Sequence, residues 1–399
     1  MSSFKTLDDL PTDLAGNAAL VRVDFNVPMN DGKITDDTRL RAAIPTIREL
    51  QAKHAAIVLM SHFDRPKGKV VPEMSLQPLV EPLSQLLGQE IRFSDNLDSP
   101  LQAIEDLKPG DVLLLENLRF KTGEEKNEAR FVDMLAQCGD YFISDAFSVA
   151  HRAHASTEGL GRKLPAYAGR AMQAELDALT KALVAPAKPV IAIVGGAKVS
   201  TKIDLLENLV GRVDALVIGG GMANTFLHAQ GIGIGKSLAE RDLAETARRI
   251  MDKAEDAKCA IILPVDAVVA FHFEANAPSH AYGLDAIPED GMILDLGPLS
   301  IERVHHAIDD AQTLLWNGPL GAFELPPFDR GTIAAARHAA ERTRAGKLVS
   351  IAGGGDTVAA LNHARVADDF SYISTAGGAF LEFCEGKALP GVEVLRVTR

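Results

Sequence analysis

Residues 190–202 read VIAIVGGAKVSTK, an apolar run, a glycine pair, then lysines at 198 and 202. Ammonium groups behind a glycine turn suit a phosphate. The order is not that of a Walker loop, in which the lysine directly follows the last glycine of G-x-x-x-x-G-K-[ST]. If a helix begins after Gly196, Lys198 and Lys202 lie four apart on one face and can clamp one anion from adjacent turns. Further glycine strings follow in the same half: GGGMANTF, NGPLGAFE, GGGDT and AGGAF. Glycine lets backbone N–H groups approach a phosphate or a flat ring, and a helix start behind such a turn adds partial positive charge. This half therefore suits a nucleotide. Asp356, in the loop from Gly354 and Gly355 to Thr357, is placed to take magnesium carried by nucleotide phosphates or to cap the next helix, and the two readings are compatible. Glu324 in NGPLGAFE is either an acceptor for ribose hydroxyls or a loop glutamate with no role. GIGIG at 231–235 looks like a dinucleotide fingerprint but follows no strand.

The first half carries different chemistry. DFNVP, SHFDRP, ENLRF and DAFSVAHRAHAS gather Asp24, Asn26, His62, Arg65, Arg119, His151, Arg152 and His154, with Arg39 following in DDTRLRAA. Guanidinium forks match carboxylate and phosphate, so their recurrence predicts a site for a small, multiply anionic ligand. A single surface arginine would be only a solvated charge; the recurrence carries the expectation.

These strings sit where an open α/β sheet binds ligands, after the carboxyl ends of strands. Short aliphatic runs alternate with amphipathic stretches, the pattern of a parallel sheet with crossover helices. Strands are expected at 19–25, 55–60, 112–115 and 141–144, then at 190–194, 215–219, 260–265, 313–317, 348–352 and 372–375. Between the halves, Met172, Leu176, Leu179 and Leu183 form one apolar helical stripe that should end at Pro186 and Pro189. The expected fold is α/β, with two doubly wound parallel-sheet (Rossmann-like) domains, 1–170 and 171–389, joined by that helix and a hinge.

Composition limits the partners. The chain has 399 residues, more than one core usually organises, which agrees with two domains. Lys and Arg number 41 against 54 Asp and Glu, a net charge of -13, which argues against nucleic acid or an acidic membrane as the main partner. Any basic site must be local. Cys138, Cys259 and Cys384 lie far apart without metal-ligand spacing, as reduced thiols of a cytoplasmic protein do. The opening MSSFKTLDDLPTDL has neither a basic n-region nor an apolar h-region, and no apolar stretch nears the ~18 residues of a membrane helix.

Taken in order, RVDFNVP, SHFDRP, ENLRF, DAFSVAHRAHAS, GGAKVSTK, GGGMANTF, NGPLGAFE, GGGDT and STAGGAFLEFCEGKALPGV resemble the phosphoglycerate kinase family, from near residue 20 to near 392. The resemblance implies transfer of a phosphoryl group between ATP and the carboxylate of 3-phosphoglycerate, giving ADP and 1,3-bisphosphoglycerate, with Mg2+. It implies that Asp24, Phe25, Asn26, Arg39, His62, Phe63, Asp64, Arg65, Arg119 and Arg152 hold the phosphoglycerate. Lys202, Glu324, Gly354, Gly355, Asp356 and Thr357 would hold the nucleotide, with Asp356 on the metal. Arg39, Lys198, Lys202 and the backbone of Gly377 and Gly378 would surround the group in flight. It further implies a monomer whose residues near 390–399 return to the N-terminal domain, and domain closure during transfer. No general base stands out, which fits an acceptor carboxylate already ionised at neutral pH.

The chain departs from that pattern at Asp64, Ser148, Val149 and Ala376. Asp64 would put a carboxylate near the phosphate site unless it faces solvent or pairs with Lys67 or Lys69, and Ala376 matters if its backbone needs positive φ. Two other classes compete: a catalytically idle nucleotide-binding scaffold on the same fold, and an NAD-linked oxidoreductase, for which no strand-borne G-x-G-x-x-G is found.

Overall fold

The computed structural model describes residues 4–30 and 32–397. The chain divides into two compact units, one running up to Leu176 and resuming at Ala388, the other from Asp177 to Lys387.

The first unit is built on a six-stranded sheet: β1 (Ala18–Arg22), β2 (Ala56–Met60), β3 (Arg92–Ser94), β4 (Val112–Leu115), β5 (Tyr141–Ser144) and β6 (Ala166–Ala168). All pairings are parallel, in the order β3-β4-β2-β1-β5-β6. On β1, Ala19 and Val21 face one core cluster while Leu20 is equally buried on the opposite face. Burial on both faces explains why these strands read as continuous aliphatic runs. Helix Thr38–Ala52 covers that first face with Leu40, Ala43, Ile47 and Leu50, which leaves Arg39 in its first turn. Downstream, the short helix Pro390–Glu393 returns to this unit, where Gly391 N–H bonds Ala150 O (2.8 Å) and Lys5 N–H bonds Leu395 O (2.9 Å). Residues 398 and 399, part of the segment expected to return, lie outside the described residues.

The second unit repeats the plan: β7 (Val190–Val194), β8 (Ala215–Ile218), β9 (Ala260–Ile262), β10 (Thr313–Asn317), β11 (Val349–Gly353) and β12 (Tyr372–Ser374). Its order, β9-β8-β7-β10-β11-β12, places the topological switch point between β7 and β10. In the first unit the corresponding reversal falls between β1 and β5.

Helix Arg170–Leu179 runs through the division between units, and Met172, Leu176, Leu179 and Leu183 are all buried, the stripe read from sequence. Several strands differ from expectation. β1 stops at Arg22, because Phe25 N–H is taken by the Ser61 hydroxyl (2.9 Å) and no longer by a neighbouring strand. β9 stops at Ile262, ahead of Pro264, which has no N–H to give a ladder. Strands β3 and β6, the pair 29–30 with 33–34, and the antiparallel trio Asp266–Ala270, Ser279–Gly283 and Met292–Leu296 were not anticipated. β3, β6 and the 29–30 and 33–34 pair span two or three residues each, and Ser279–Gly283 is largely exposed, so little apolar patterning marks them, whereas Asp266–Ala270 and Met292–Leu296 are five residues long and mostly buried.

Candidate active site

In the first unit the strand ends converge on one buried imidazole. His62, at the carboxyl end of β2, is 5% exposed, and its Nδ1 accepts from Arg22 Nη2 at 3.0 Å. Burial, then the positive charges of Arg22, Arg119, Arg152 and Arg39, hold its pKa well below the usual value, so the ring is neutral. Four guanidinium groups from three strand ends and one helix therefore act on a single point. Arg119 is 3% exposed; its Nη1 donates to Asp64 O (2.8 Å), its Nε lies 3.6 Å from Glu125 Oε1 without a hydrogen bond, and its Nη2 has no hydrogen bond among the described residues. Burial, Arg152 and Arg22 lower its pKa to about 10, still a cation at neutral pH. A buried donor without a hydrogen bond is costly, and an anionic ligand would satisfy Nη2.

Beside this cluster, Arg39 Nη1 donates to Asn26 O (2.7 Å) and reaches Asp24 Oδ2 (2.9 Å). Asn26 Oδ1 accepts from Asp64 N–H (3.0 Å), joining the ends of β1 and β2. Arg152 is half-buried, with Nε 3.3 Å from His151 Nε2. Arg65 is exposed on the loop after β2, and among the described residues no hydrogen bond or ion pair ties it to the cluster. The Phe25 side chain is 0% exposed in the core, so only its backbone can meet a ligand. Phe63 packs partly against the same core while its carbonyl accepts from Asn117 Nδ2 (2.7 Å).

Beneath the cluster lies a counter-charge that the sequence did not reveal. Arg22 Nε donates to Ser156 Oγ (2.8 Å), which in turn donates to Glu124 Oε1 (2.6 Å). Glu124 is fully buried; burial raises its pKa and Arg22 opposes the rise. His154 lies 3.9 Å from Glu124, but burial and then Arg119, Arg152 and Arg22 lower its pKa to about 4, so this pair is not ionic at neutral pH. Glu124→Ala should cost about 3–5 kcal/mol of unfolding free energy, because it strands a buried guanidinium. Glu124→Gln, which keeps an acceptor for Ser156, should cost less; urea denaturation of both variants checks the ranking.

In the second unit the glycine turns meet at the switch point. Lys202 Nζ donates to Gly195 O (2.6 Å), Asn317 Oδ1 (2.6 Å) and Asn317 O (3.2 Å), at the ends of β7 and β10. Burial lowers its pKa to about 8, and the Asp356 carboxylate works against that shift. Every acceptor around this ammonium is neutral. Gly318, φ +99°, must be glycine here: a Cβ would stand 2.2 Å from Gly195 O and 2.9 Å from Lys202 Nζ. Thr357 is buried, accepting from Gly318 N–H (2.7 Å) and donating to Gly353 O (2.8 Å), so its hydroxyl shapes the loop. Asp356 is exposed in the first turn of helix Gly355–His363 and makes no side-chain cap. A cavity of about 210 Å³ opens alongside, lined by Gly196, Gly220, Leu238, Leu320, Glu324 and Asp356 among others. Gly377, φ 47°, and Gly378 open helix Gly378–Cys384.

The expected lysine clamp on one helix face is not formed. Val199–Thr201 make a tight 3-10 turn, Lys202 has φ −136° and ψ 17°, and the helix is Ile203–Leu209. The Ser200 hydroxyl and N–H are held by Glu240 (2.6 and 2.8 Å), and Thr201 Oγ1 bonds Lys198 O (2.9 Å). Side chains that compete for backbone groups displace the helix start. Lys202 therefore folds under the turn, while Lys198 is exposed.

A phosphoglycerate kinase family model matches residues 7–387. The chain is 69% identical to the phosphoglycerate kinase of Bradyrhizobium diazoefficiens and 68% identical to that of Rhodopseudomonas palustris, covering 99% of each pair. The solved phosphoglycerate kinase from Coxiella burnetii superposes with a TM-score of 0.93 at 42% identity, over 98% of both chains. The chain belongs to the phosphoglycerate kinase family. It is thus a phosphotransferase, and its fold is that of its relatives.

Against that family's pattern, Asp64 occupies the place of a glycine and keeps a left-handed backbone, φ 52°, with its carboxylate exposed. Aspartate is among the few residues that tolerate this region. Ala376 is not in the positive-φ region; that conformation belongs to Gly377, so the alanine brings no backbone strain. Val149 is buried, and Ser148 reaches Asp24. Sequence reasoning missed Asn317, Arg22, Glu124 and Ser148 as parts of the two sites. Asn317 carried a usable signal, a polar side chain ending an aliphatic strand at NGP; Glu124 carried none.

Proposed function

We propose that this chain of the phosphoglycerate kinase family transfers the γ-phosphoryl group of ATP reversibly to the carboxylate of 3-phosphoglycerate, giving ADP and 1,3-bisphosphoglycerate. A carboxylate oxygen attacks the γ-phosphorus as the bond to the β–γ bridging oxygen breaks, and no proton need be removed. Arg39, Arg65, Arg119, Arg152, His62, Asp24 and Asn26, with the backbone of Phe25, Phe63 and Asp64, bind the phosphoglycerate in the first unit. His62 is neutral, so it binds by hydrogen bonding, and the arginines supply the charge. In the second unit Glu324 takes the ribose hydroxyls, the loop Gly354–Thr357 takes the phosphates, and Lys202 takes the charge that develops on the group in transfer. Lys198 and the backbone N–H groups of Gly377 and Gly378 complete that shell. Phosphoryl transfer relies on positioning and fixed positive charge, which is what these residues offer.

One exposed carboxylate, Asp356, suits Mg2+, which keeps water and phosphate oxygens as its other ligands. Bound there with the nucleotide, the ion would supply charge neutralisation at the phosphates. Direct transfer also asks the two binding surfaces to meet with water excluded, so hinge closure is part of the proposal. Three buried cysteines, none in a disulfide among the described residues, favour a reducing, cytoplasmic setting, and the family resemblance supports a monomer.

The observation that carries this reading is the Lys202 ammonium, held among neutral oxygens where β7 and β10 part. A coupled assay of ATP formation from 1,3-bisphosphoglycerate and MgADP tests it; pure protein without turnover would leave an idle scaffold. Arg65→Ala separates the units: it should raise the apparent KM for 3-phosphoglycerate about tenfold and leave that for ATP unchanged. The reverse pattern would reassign the two halves.

A further inference from the structure

Asp24 and Ser148 are 124 residues apart, and each follows a strand flanking the reversal of strand order in the first unit. Arg22, ending β1, pairs with Ser144, ending β5. Two residues beyond Arg22 stands Asp24; four beyond Ser144 stands Ser148, in the tight turn Phe147–Val149. Phe147 and Val149 are buried on either side of it, and the turn is closed by Val149 N–H on Ala146 O (3.2 Å) and Ala150 N–H on Phe147 O (2.9 Å). Ala150 O in turn receives Gly391 N–H from the returning C-terminal helix. The turn that presents Ser148 is therefore fixed from several directions.

The Ser148 hydroxyl donates to Asp24 Oδ2 at 2.6 Å, the length of a charge-assisted bond. The same oxygen receives Arg39 Nη1 at 2.9 Å, and Asp24 Oδ1 receives Asn26 N–H at 3.1 Å. The carboxylate is thus held at both oxygens, and one oxygen is shared between a neutral donor and a cation. Sharing matters because Arg39 must offer its charge to a ligand and not spend it on Asp24. A hydroxyl on Oδ2 fixes the plane of the carboxylate and takes up part of its acceptor strength. Without it, Oδ2 answers to Arg39 alone.

We propose that Ser148 is a positioning residue of the phosphoglycerate site, orienting the Asp24 carboxylate and moderating its hold on Arg39 so that the guanidinium is presented to the anionic substrate. The proposal rests on the function given above for the first unit. It concerns ground-state binding of the acid, so it predicts an effect on one substrate only.

The test uses the full chain and three proteins: wild type, Ser148→Ala and Ser148→Thr. Ser148→Ala should raise the KM for 3-phosphoglycerate about three- to tenfold, with kcat and the KM for ATP within about twofold of wild type. Calorimetric titration with 3-phosphoglycerate alone should show the same weakening. Ser148→Thr, which keeps the hydroxyl, should restore both values, and melting temperatures should agree across the three. An unchanged KM and affinity in Ser148→Ala would overturn the proposal, as would equal losses in Ser148→Ala and Ser148→Thr. An inactive wild type would instead count against the kinase reading, and the titration would still decide the role of Ser148.

Discussion

Lys202→Ala is expected to lower kcat by about two to three orders of magnitude, the loss typical when one preorganised donor to developing charge is removed. The side chain is anchored by Gly195 O and Asn317, so its ammonium has a fixed position before any substrate arrives. None of those anchors carries a charge, and the carboxylate whose charge acts on it is Asp356, which the metal would share. Its positive charge is therefore available to the γ-phosphoryl oxygens as they gain charge. A second readout follows from the same geometry. Burial lowers the pKa of Lys202 to about 8, so in the free enzyme the group is charged below that pH and neutral above it. The kcat/KM for nucleotide should then fall as pH rises through about 8, and bound phosphate, favouring the charged form, should move the limb in kcat to higher pH. Lys202→Arg, charged throughout, should remove the limb even where its bulk lowers the rate. An alkaline limb that persists in Lys202→Arg would assign the titration elsewhere.

Arg39→Ala should reduce kcat/KM for 3-phosphoglycerate by about two to three orders of magnitude, close to 3–4 kcal/mol of transition-state binding. Arg39 stands at the start of helix Thr38–Ala52, tied to Asn26 O and Asp24 by a single nitrogen, Nη1. Its remaining donors are left for a ligand, and it adds to the positive charge bearing on His62. Arg39→Lys should recover little, because a point charge on a flexible stem cannot reproduce a planar fork that spans two oxygens. Steady-state kinetics of both variants checks this; a lysine variant near wild type would show that charge alone is required.

Much of this was legible without coordinates. The aliphatic runs announced parallel strands because a strand buried on both faces has no polar side to show, as at Ala19–Val21 and Val190–Val194. The stripe from Met172 to Leu183 announced its helix for the same reason: burial imposes a period on sequence. The arginines and glycines could be assigned to turns after the strands because a parallel sheet sends every carboxyl end to one edge, so sequence order alone collects them. The family pattern then supplied roles that spacing could not.

What sequence could not decide were the directions of side chains and the partners that reach across the fold. The two lysines looked like a clamp on one helix, yet Ser200, Thr201 and Glu240 settle the local hydrogen bonds differently and send Lys202 beneath the turn to Asn317. Glu124 gave no sign that it balances Arg22 through Ser156, nor Ser148 that it holds Asp24. Composition and periodicity are set by which surfaces are buried, and burial is written locally along the chain. The pairing of Asp24 with Ser148, or of Lys202 with Asn317, is set by strand order, which brings together residues more than a hundred positions apart and leaves no local trace.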